Sequence, residues 1–100
     1  MGLDATIRKR PESAATDVQY WRKNWVLQNW MNTNNCDVKF IDLQLIYDLL
    51  EYIQDEDNHQ DEGSEGWTPE HWNDFEEDIK NIIQDMESNE TYEYTYDAWW

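Results

Sequence analysis

The chain has 100 residues, a hydrophobic fraction of 39% and a formal net charge of −16 at pH 7. Such a charge is typical of disordered chains, but fifteen aromatic residues, seven of them Trp, can organise a compact core and exclude disorder for most of the chain. The length and the charge together predict a single small acidic domain spanning residues 1–100, which would repel nucleic acid and anionic membranes.

The net charge lies entirely in the second half of the chain. Residues 1–50 contain six Lys or Arg and six Asp or Glu, whereas residues 51–100 contain seventeen acids and a single base, Lys80. The electrostatic field of such a concentrated negative charge attracts basic surfaces. The sequence therefore indicates a basic partner more clearly than it indicates any reaction.

A short strand is predicted at the start of the chain. Leu3, Ala5 and Ile7 alternate with polar residues, which is the period of a half-buried strand. Pro11 ends it. The basic residues 8–10 are expected at the solvated strand end, paired with acids from the other half of the chain.

A first helix is predicted from about Asp17 to Met31. Thr16 and Gln19 have the spacing of a capping box, and Trp21 and Trp25 are one helical turn apart. The asparagine-rich segment that follows would end this helix.

A second helix is predicted from Leu43 to Gln54. Val38, Phe40 and Ile41 predict a brief extended segment before it, and Asp42 is placed to cap its first turn. The apolar residues of the helix recur at helical spacing.

Residues 55–66 contain no apolar residue and predict a flexible acidic loop. Thr68 and Pro69 then give a capping hydroxyl and a first-turn proline, which predict a third helix from Pro69 to about Glu87. Its apolar stripe has the clearest periodicity of the chain and consists of Trp72, Phe75, Ile79, Ile82, Ile83 and Met86.

A second strand is predicted near the C-terminus, where Tyr92, Tyr94 and Tyr96 alternate with polar residues. If it pairs with the N-terminal strand, Arg8 lies beside acidic residues. We therefore predict an α+β fold of three helices packed on a small antiparallel sheet formed by the N- and C-terminal strands. The expected core is Trp21, Trp25, Leu27, Ile46, Leu50, Trp72, Phe75, Ile79, Ile83 and Tyr94.

Three segments recur together in a known group of proteins: Met1-Gly2-Leu3-Asp4, Tyr20-Trp21-Arg22-Lys23 and the aromatic stretch from Tyr94 to Trp99. In these segments the chain resembles a family of small, mostly uncharacterised proteins of tailed bacteriophages and prophages. The resemblance implies a YWRK motif on a helix, a cysteine soon after it, where this chain has Cys36, and an aromatic strand. It implies a phage origin and a host-cytoplasmic location. It implies no mechanism.

Metal and catalytic sites are weakly indicated. Asp55, Asp57, His59 and Asp61 alternate like calcium ligands, but the Gly at loop position six and the Glu at position twelve are missing in either frame. His59 or His71 beside a carboxylate would be the general base of an enzymatic alternative. The chain has no glycine-rich phosphate loop, zinc-ligand spacing or nucleophile elbow, so we predict no enzyme, metal or cofactor.

The seven acids of the third helix alone are sparser than the charges on one side of DNA. With Glu51 and the acids of the preceding loop the charge density is sufficient, provided that the loop lies on the same side as the helix. With the phage resemblance, this predicts an acidic inhibitor that mimics nucleic acid and binds the basic site of a host nucleic-acid-binding protein. The candidate partner-binding residues are Glu62, Glu65, Glu70, Asp74, Glu77, Asp78, Asp85 and Trp100.

Two alternatives remain open at this point. The chain would instead be a small phage accessory protein whose charge serves only solubility, or an acidic cation binder. A homodimer is also left open, since it would extend the acidic stripe. Of the last two residues, one is expected to close the core and the other to anchor an interface; burial of both Trp99 and Trp100 is the alternative.

Overall fold

A computed structural model describes residues 2–10, 16–34, 40–60 and 62–99. It shows three helices packed on a four-stranded antiparallel sheet of order β2-β1-β4-β3, which confirms the predicted α+β fold and the pairing of N- and C-terminal strands. The elements are β1 (Asp4–Arg10), β2 (Thr16–Arg22), α1 (Trp25–Asn34), β3 (Phe40–Ile41), α2 (Leu43–Gln54), α3 (Pro69–Ser88) and β4 (Glu93–Trp99).

Strand β1 lies between β2 and β4 because it supplies the apolar residues that the helices cover. Ala5 and Ile7 have no exposed surface, and Ile7 lies opposite Tyr96 of β4. The alternation that predicted this strand is therefore the alternation of its two faces. The other face bears Arg8, whose contact with Asp97 at 3.5 Å confirms the expected pairing with an acid of the other half of the chain. Arg8 also contacts Asp17 of β2 at 2.8 Å, an acid of its own half that was not expected there.

The predicted helix from Asp17 to Met31 is wrong in its first part. Residues Thr16–Arg22 form β2, which pairs with β1 from Lys9↔Thr16 to Asp4↔Arg22. A neighbouring strand with a free edge competes with the capping signal, and the β-branched and aromatic residues of this segment favour the strand. Trp21 reaches the core from the strand rather than from a helix.

Helix α1 begins later because two residues turn the chain. Lys23 has a φ of 60°, and its N–H donates to the carbonyl of Leu3 at 2.6 Å. The buried Asn24 then accepts a hydrogen bond from the N–H of Leu27 at 3.0 Å, which is an N-cap interaction. The YWRK motif therefore occupies a strand end and a turn, which corrects its expected place on a helix. Trp25, expected in the core, is 36% exposed.

Helices α2 and α3 follow the predicted bounds closely. Asp42 caps α2 by accepting from the N–H of Leu45 at 2.8 Å, as expected. At the start of α3 the N–H of Thr68 donates to Nδ1 of His71 at 2.9 Å, so a histidine takes the reciprocal position of a capping box. Regular apolar spacing and strong caps explain why these helices were predicted with little error.

Among the described residues, one cluster of buried side chains joins the sheet to all three helices. Leu50 was expected in it and is instead only partly buried at its border. The expected core also omitted several fully buried residues, namely Leu3, Ala5, Ile7, Val26, Leu49, Ile53 and Ile82. Of the predicted extended entry, Phe40 and Ile41 form β3, and Val38 lies outside the described residues, as does Cys36.

Candidate functional site

The acidic segment 55–66 has more local structure than the sequence indicated. It contains two short 3-10 turns, Glu56–Gln60 and Glu62–Ser64. The imidazole Nε2 of His59 lies 2.7 Å from the carbonyl of Ile53 at the end of α2, and the ring stacks on Trp72 of α3 with centroids 3.9 Å apart. The segment therefore joins the C-terminal end of α2 to the first turns of α3. Its flexibility stays a prediction.

Trp67 completes this junction. Its ring makes edge contacts with Trp72 at 4.8 Å and with Phe75 at 5.8 Å between centroids. Gly63 approaches α1 so closely that a Cβ there would lie 2.7 Å from backbone atoms of Trp25 and Val26. The acidic segment is thus seated on a scaffold of aromatic side chains and helix backbone.

Exposed carboxylates surround this junction on all of its segments. We call them the acidic end; they are Glu51, Asp55, Glu56, Asp57, Glu65, Glu70, Asp74 and Glu77, and each belongs to an exposed residue. The chain gathers them because α2, the acidic segment and the N-terminal half of α3 meet there. Of the eight candidate partner-binding residues, the structure brings Glu65, Glu70, Asp74 and Glu77 to this surface.

Helical geometry explains why part of α3 is acidic outside and apolar inside. Trp72, Phe75 and Ile79 have spacings of three and four and are buried, whereas Glu70, Asp74 and Glu77 have the same spacings on the opposite side. Glu70 in the first turn also lies at the positive end of the helix dipole. The C-terminal half of the same outer stripe is uncharged.

Asp78 was predicted on the binding surface but turns towards the sheet. Its carboxylate accepts a hydrogen bond from the indole N–H of Trp21 at 3.0 Å. Burial raises the pKa of Asp78, the Trp21 hydrogen bond opposes this, and the nearby charges of Asp74 and Glu77 add to the increase. This carboxylate joins α3 to β2, so we leave it out of the acidic end.

Asp85 is also held by contacts within the domain, although its side chain is partly exposed. It contacts the ammonium of Lys9 at 3.1 Å and accepts hydrogen bonds from the Tyr94 hydroxyl and the Asn89 amide. Burial acts to raise the pKa of Asp85, but the hydrogen bonds from Tyr94 and Lys9 outweigh it, so the pKa lies below its ordinary value. Burial and the Asp85 carboxylate raise the pKa of Tyr94, which remains a donor. Asp85 therefore fixes α3 to β1 and β4.

Apart from Lys80, whose charge also interacts with Glu77, the basic side chains of the described residues lie away from the acidic end. Within the described ranges, every Lys or Arg other than Lys80 belongs to β1, to β2 or to the turn directly after β2. Lys80 lies 2.9 Å from Glu76, four residues earlier on α3. Lys23 and Glu65 line the same shallow pocket, so Lys23 marks a border of the acidic end.

Two of the predicted partner-binding side chains, those of Glu62 and Trp100, cannot be placed on the acidic end. Trp100 and the side chain of Glu62 lie outside what the structure describes. Trp99, at the end of β4, is 50% exposed, which excludes the burial of both terminal Trp residues. Glu51, Asp55, Glu56 and Asp57 were counted in the charge density but were not predicted as partner-binding residues. The sequence signal that could have identified them is their place between the end of the second predicted helix and the start of the third.

The two histidines have structural contacts. His59 is stacked on Trp72, and His71 accepts the capping hydrogen bond from Thr68. Across the ranges that the structure describes, no three His, Cys, Asp or Glu residues form a group able to hold a metal ion. Over the same ranges, no helix is both long and apolar enough to cross a membrane.

Comparison of the chain with protein-family models, with curated proteins and with solved structures finds no match.

Proposed function

We propose that the chain is a phage-encoded binding protein whose acidic end occupies the basic, nucleic-acid-binding site of a host protein. The observation that carries the proposal is the outward placement of Glu70, Asp74 and Glu77 beside the exposed acids of the neighbouring segment. The likeness of three sequence segments to small phage proteins favours an inhibitor used in host takeover or against host defence. The proposal assigns the chain no catalytic step.

The spacing of the α3 carboxylates agrees with mimicry of a nucleic acid. Seven residues separate Glu70 from Glu77, or about 10 Å along the helix axis at about 1.5 Å per residue. Over that length B-DNA carries about six phosphate charges, of which about three face one side. Three carboxylates on this stripe therefore match the local charge density that a phosphate-binding surface accepts.

The mechanism is competition for the partner's basic site. The exposed acids steer the two proteins together, and the complex excludes nucleic acid while it lasts. Because exposed charges are screened over about 8–10 Å at physiological salt, association weakens as salt rises. The contacts of the acidic segment with Ile53, Trp72 and α1 hold carboxylates in place before binding and lower the ordering cost.

Two variants of equal charge change test the proposal. Asp74→Lys with Glu77→Lys reverses the acidic end; Asp48→Lys with Glu87→Lys reverses two exposed acids elsewhere on α2 and α3. Glu70 is kept because it complements the helix dipole. Each protein is used to capture partners from nuclease-treated bacterial lysate at about 0.1 M and 0.5 M salt.

We expect the unmodified chain and the Asp48/Glu87 variant to capture the same nucleic-acid-binding protein at low salt, and the Asp74/Glu77 variant to lose it. Purified partner should then bind DNA or RNA more weakly when the unmodified chain is added. Equal capture by both variants, or capture that high salt leaves unchanged, would contradict the proposal.

One observation favours a second function. Tyr20, Phe40 and Trp99 are 51%, 57% and 50% exposed, and all three extend from the sheet. Exposed aromatic residues are typical anchors of protein interfaces. As a phage accessory protein, the chain would bind a partner through this side, the charge would serve solubility, and Tyr20→Ala with Trp99→Ala would abolish a salt-insensitive complex that Asp74→Lys leaves intact.

A further inference from the structure

Two exposed aromatic side chains lie on the side of the sheet that faces away from the helices. Tyr20 of β2 is 51% exposed and lies opposite Thr6 of β1. Trp99 of β4 is 50% exposed and lies opposite Asp4 of β1. Neighbouring residues of a strand point to opposite faces, and Ile7 of β1 is buried against the helices. Thr6 and Asp4, and with them the two aromatic side chains, therefore belong to the outer side.

The two aromatic side chains are joined by a pair of charged residues. The hydroxyl of Tyr20 donates a hydrogen bond to Asp4, so its side chain extends over β1. Arg22, an exposed residue, lies opposite Asp4 in the register of β1 and β2. We call Asp4, Tyr20, Arg22 and Trp99 the sheet patch. Tyr, Trp and Arg are the residue types that most often contribute binding energy at protein interfaces.

Charge distinguishes this side of the sheet from the rest of the molecule. Its described residues include three bases and four acids, a net charge of −1, whereas the whole chain carries −16; they are Arg8, Arg10, Arg22, Asp4, Asp17, Glu93 and Asp97. A basic partner is attracted more strongly to the acidic end, and nucleic acid is repelled by the chain as a whole. A second copy of the chain offers the same nearly neutral surface, on which a two-fold contact pairs bases of one copy with acids of the other.

We infer that two copies of this chain associate through their sheet patches. The inference does not depend on the partner of the acidic end. The acidic end belongs to the helices, which cover the other side of the sheet. Dimerisation therefore leaves two separate acidic ends accessible, rather than joining them into one longer stripe.

The size of the sheet predicts a weak dimer. Strands β1, β2 and β4 have 7 residues each. Such strands are about 23 Å long, and three of them side by side are about 14 Å wide, which gives a flat area of about 320 Å² per copy. A standard stable interface buries about 800 Å² per partner, so we expect a dissociation constant on the order of 0.1 mM. The constant should fall as salt rises, because salt screens the repulsion between two acidic chains.

Sedimentation equilibrium of the full chain tests the inference, at protein concentrations from about 0.02 to 1 mM and at about 0.1 M and 0.5 M salt. We expect a monomer–dimer equilibrium in which the dimer fraction is larger at high salt. Over the same concentrations, the amide shifts of the ¹⁵N-labelled chain should change at Asp4, Tyr20 and Trp99, and those of Glu70 and Asp74 should stay constant. A chain that is monomeric throughout, or shifts confined to the helices, would overturn the inference.

Matched variants separate the sheet patch from general effects of charge and aromatic surface. Tyr20→Ala and Trp99→Ala should each raise the dissociation constant by about threefold or more. Tyr47→Ala removes an exposed tyrosine of α2 and should change it by less than about twofold. Circular dichroism of each variant shows whether it is folded.

A second pair of variants changes the net charge equally. Arg22→Glu alters the sheet patch, whereas Lys80→Glu alters α3. We expect only Arg22→Glu to weaken the dimer by about threefold or more, since the added repulsion between whole chains is the same for both. Equal weakening by both would show that net charge, and not the sheet patch, controls association, and would overturn the inference.

The outcomes distinguish this contact from the proposed function. Asp74→Lys with Glu77→Lys should abolish partner capture and leave the dimer intact. A chain that stays monomeric but still captures its partner through the acidic end would overturn the dimer and leave the proposed function standing. A dimer that forms through the sheet patch, together with capture that the Asp74/Glu77 variant retains, would support the dimer and contradict the acidic-end mechanism.

Discussion

The acidic end and the outer face of the sheet both carry exposed or half-buried carboxylates, but those of the sheet lie beside arginines and those of the acidic end lie beside one another. We define the outer sheet face by Arg8, Arg10, Asp17, Glu93 and Asp97. On it, Arg8 contacts both Asp17 and Asp97, and Arg10 lies opposite Glu93 in the register. On the acidic end, by contrast, eight acids are exposed, and Lys80 is the only Lys or Arg among the described residues of α2, the acidic segment and α3.

The same distinction holds within α3, where some carboxylates form contacts inside the domain and others are exposed to a partner. Asp85 joins α3 to β1 and β4, and Asp78 joins α3 to β2. Both come from the same helix as Asp74 and Glu77, which point away from the sheet. The position of a residue around α3 therefore decides whether its carboxylate stabilises the domain or repels its neighbours.

The largest expected effect comes from the scaffold of the acidic end. Trp72→Ala removes a ring that is 5% exposed and that stacks on His59 and contacts Trp67. We expect the free energy of unfolding to fall by about 3–5 kcal/mol, because a large buried side chain is lost and a cavity remains. Urea denaturation followed by circular dichroism measures it; a loss below about 1 kcal/mol would show that the aromatic junction is not the scaffold.

Gly63→Ala should have the next largest effect. The added Cβ would lie 2.7 Å from backbone atoms of Trp25 and Val26, which cannot rotate away. We expect the free energy of unfolding, measured by urea denaturation, to fall by about 1–3 kcal/mol because the added methyl group pushes the acidic segment away from α1. Gly2→Ala, whose Cβ would meet the Lys23 side chain at 3.6 Å, is the matched control and should be nearly neutral.

Asp85→Asn should lower the free energy of unfolding by about 1–2 kcal/mol. The substitution removes a partly exposed charge that pairs with Lys9 and accepts a strong hydrogen bond from Tyr94. The pKa of Asp85 is lowered on folding, so its contribution is present above the ordinary carboxyl pKa of 3.8 and is lost as pH falls below that value. Unfolding curves of the variant should lack this part of the acid sensitivity; Glu51→Gln, at the acidic end, should keep it.

The smallest effect is expected for Asp78→Asn. The amide oxygen still accepts from Trp21, while a half-buried charge near Asp74 and Glu77 is removed, so stability should be unchanged or rise by less than about 1 kcal/mol. The pKa of Asp78 is raised on folding, so the wild-type chain should gain stability as pH falls towards the region just above 3.8. The variant should lack that gain; a marked destabilisation at pH 7 would show that the charge itself joins α3 to β2.

Much of the fold was predictable because, in most segments, the capping residues and the spacing of apolar residues indicated the same secondary structure. The bounds of α2 and α3 follow from Asp42, Thr68-Pro69 and regular apolar spacing, and β1 and β4 follow from alternation. The error in β2 arose where two local signals conflicted. Thr16 and Gln19 suggested a cap, but the open edge of β1 offered backbone hydrogen bonds that the sequence pattern of one segment does not reveal.

The candidate site was predictable only in composition. Counting acids located Glu65, Glu70, Asp74 and Glu77, yet the same count included Asp85, whose partner Lys9 lies seventy-six residues earlier in the chain. A contact over that sequence distance depends on the register of β1 against β4 and on the packing of α3. Neither the stacking of His59 on Trp72 nor the approach of Gly63 to Trp25 has a local signature.

The sequence by itself determined the charge, its concentration in the second half, and the amphipathic period that turns Glu70, Asp74 and Glu77 away from the core, since helical geometry follows from spacing alone. Only the tertiary structure decided that Asp78 and Asp85 are held by the sheet and that α2, the acidic segment and α3 meet in one acidic end. Long-range packing places these groups, because hydrogen bonds and burial join residues that no local pattern connects.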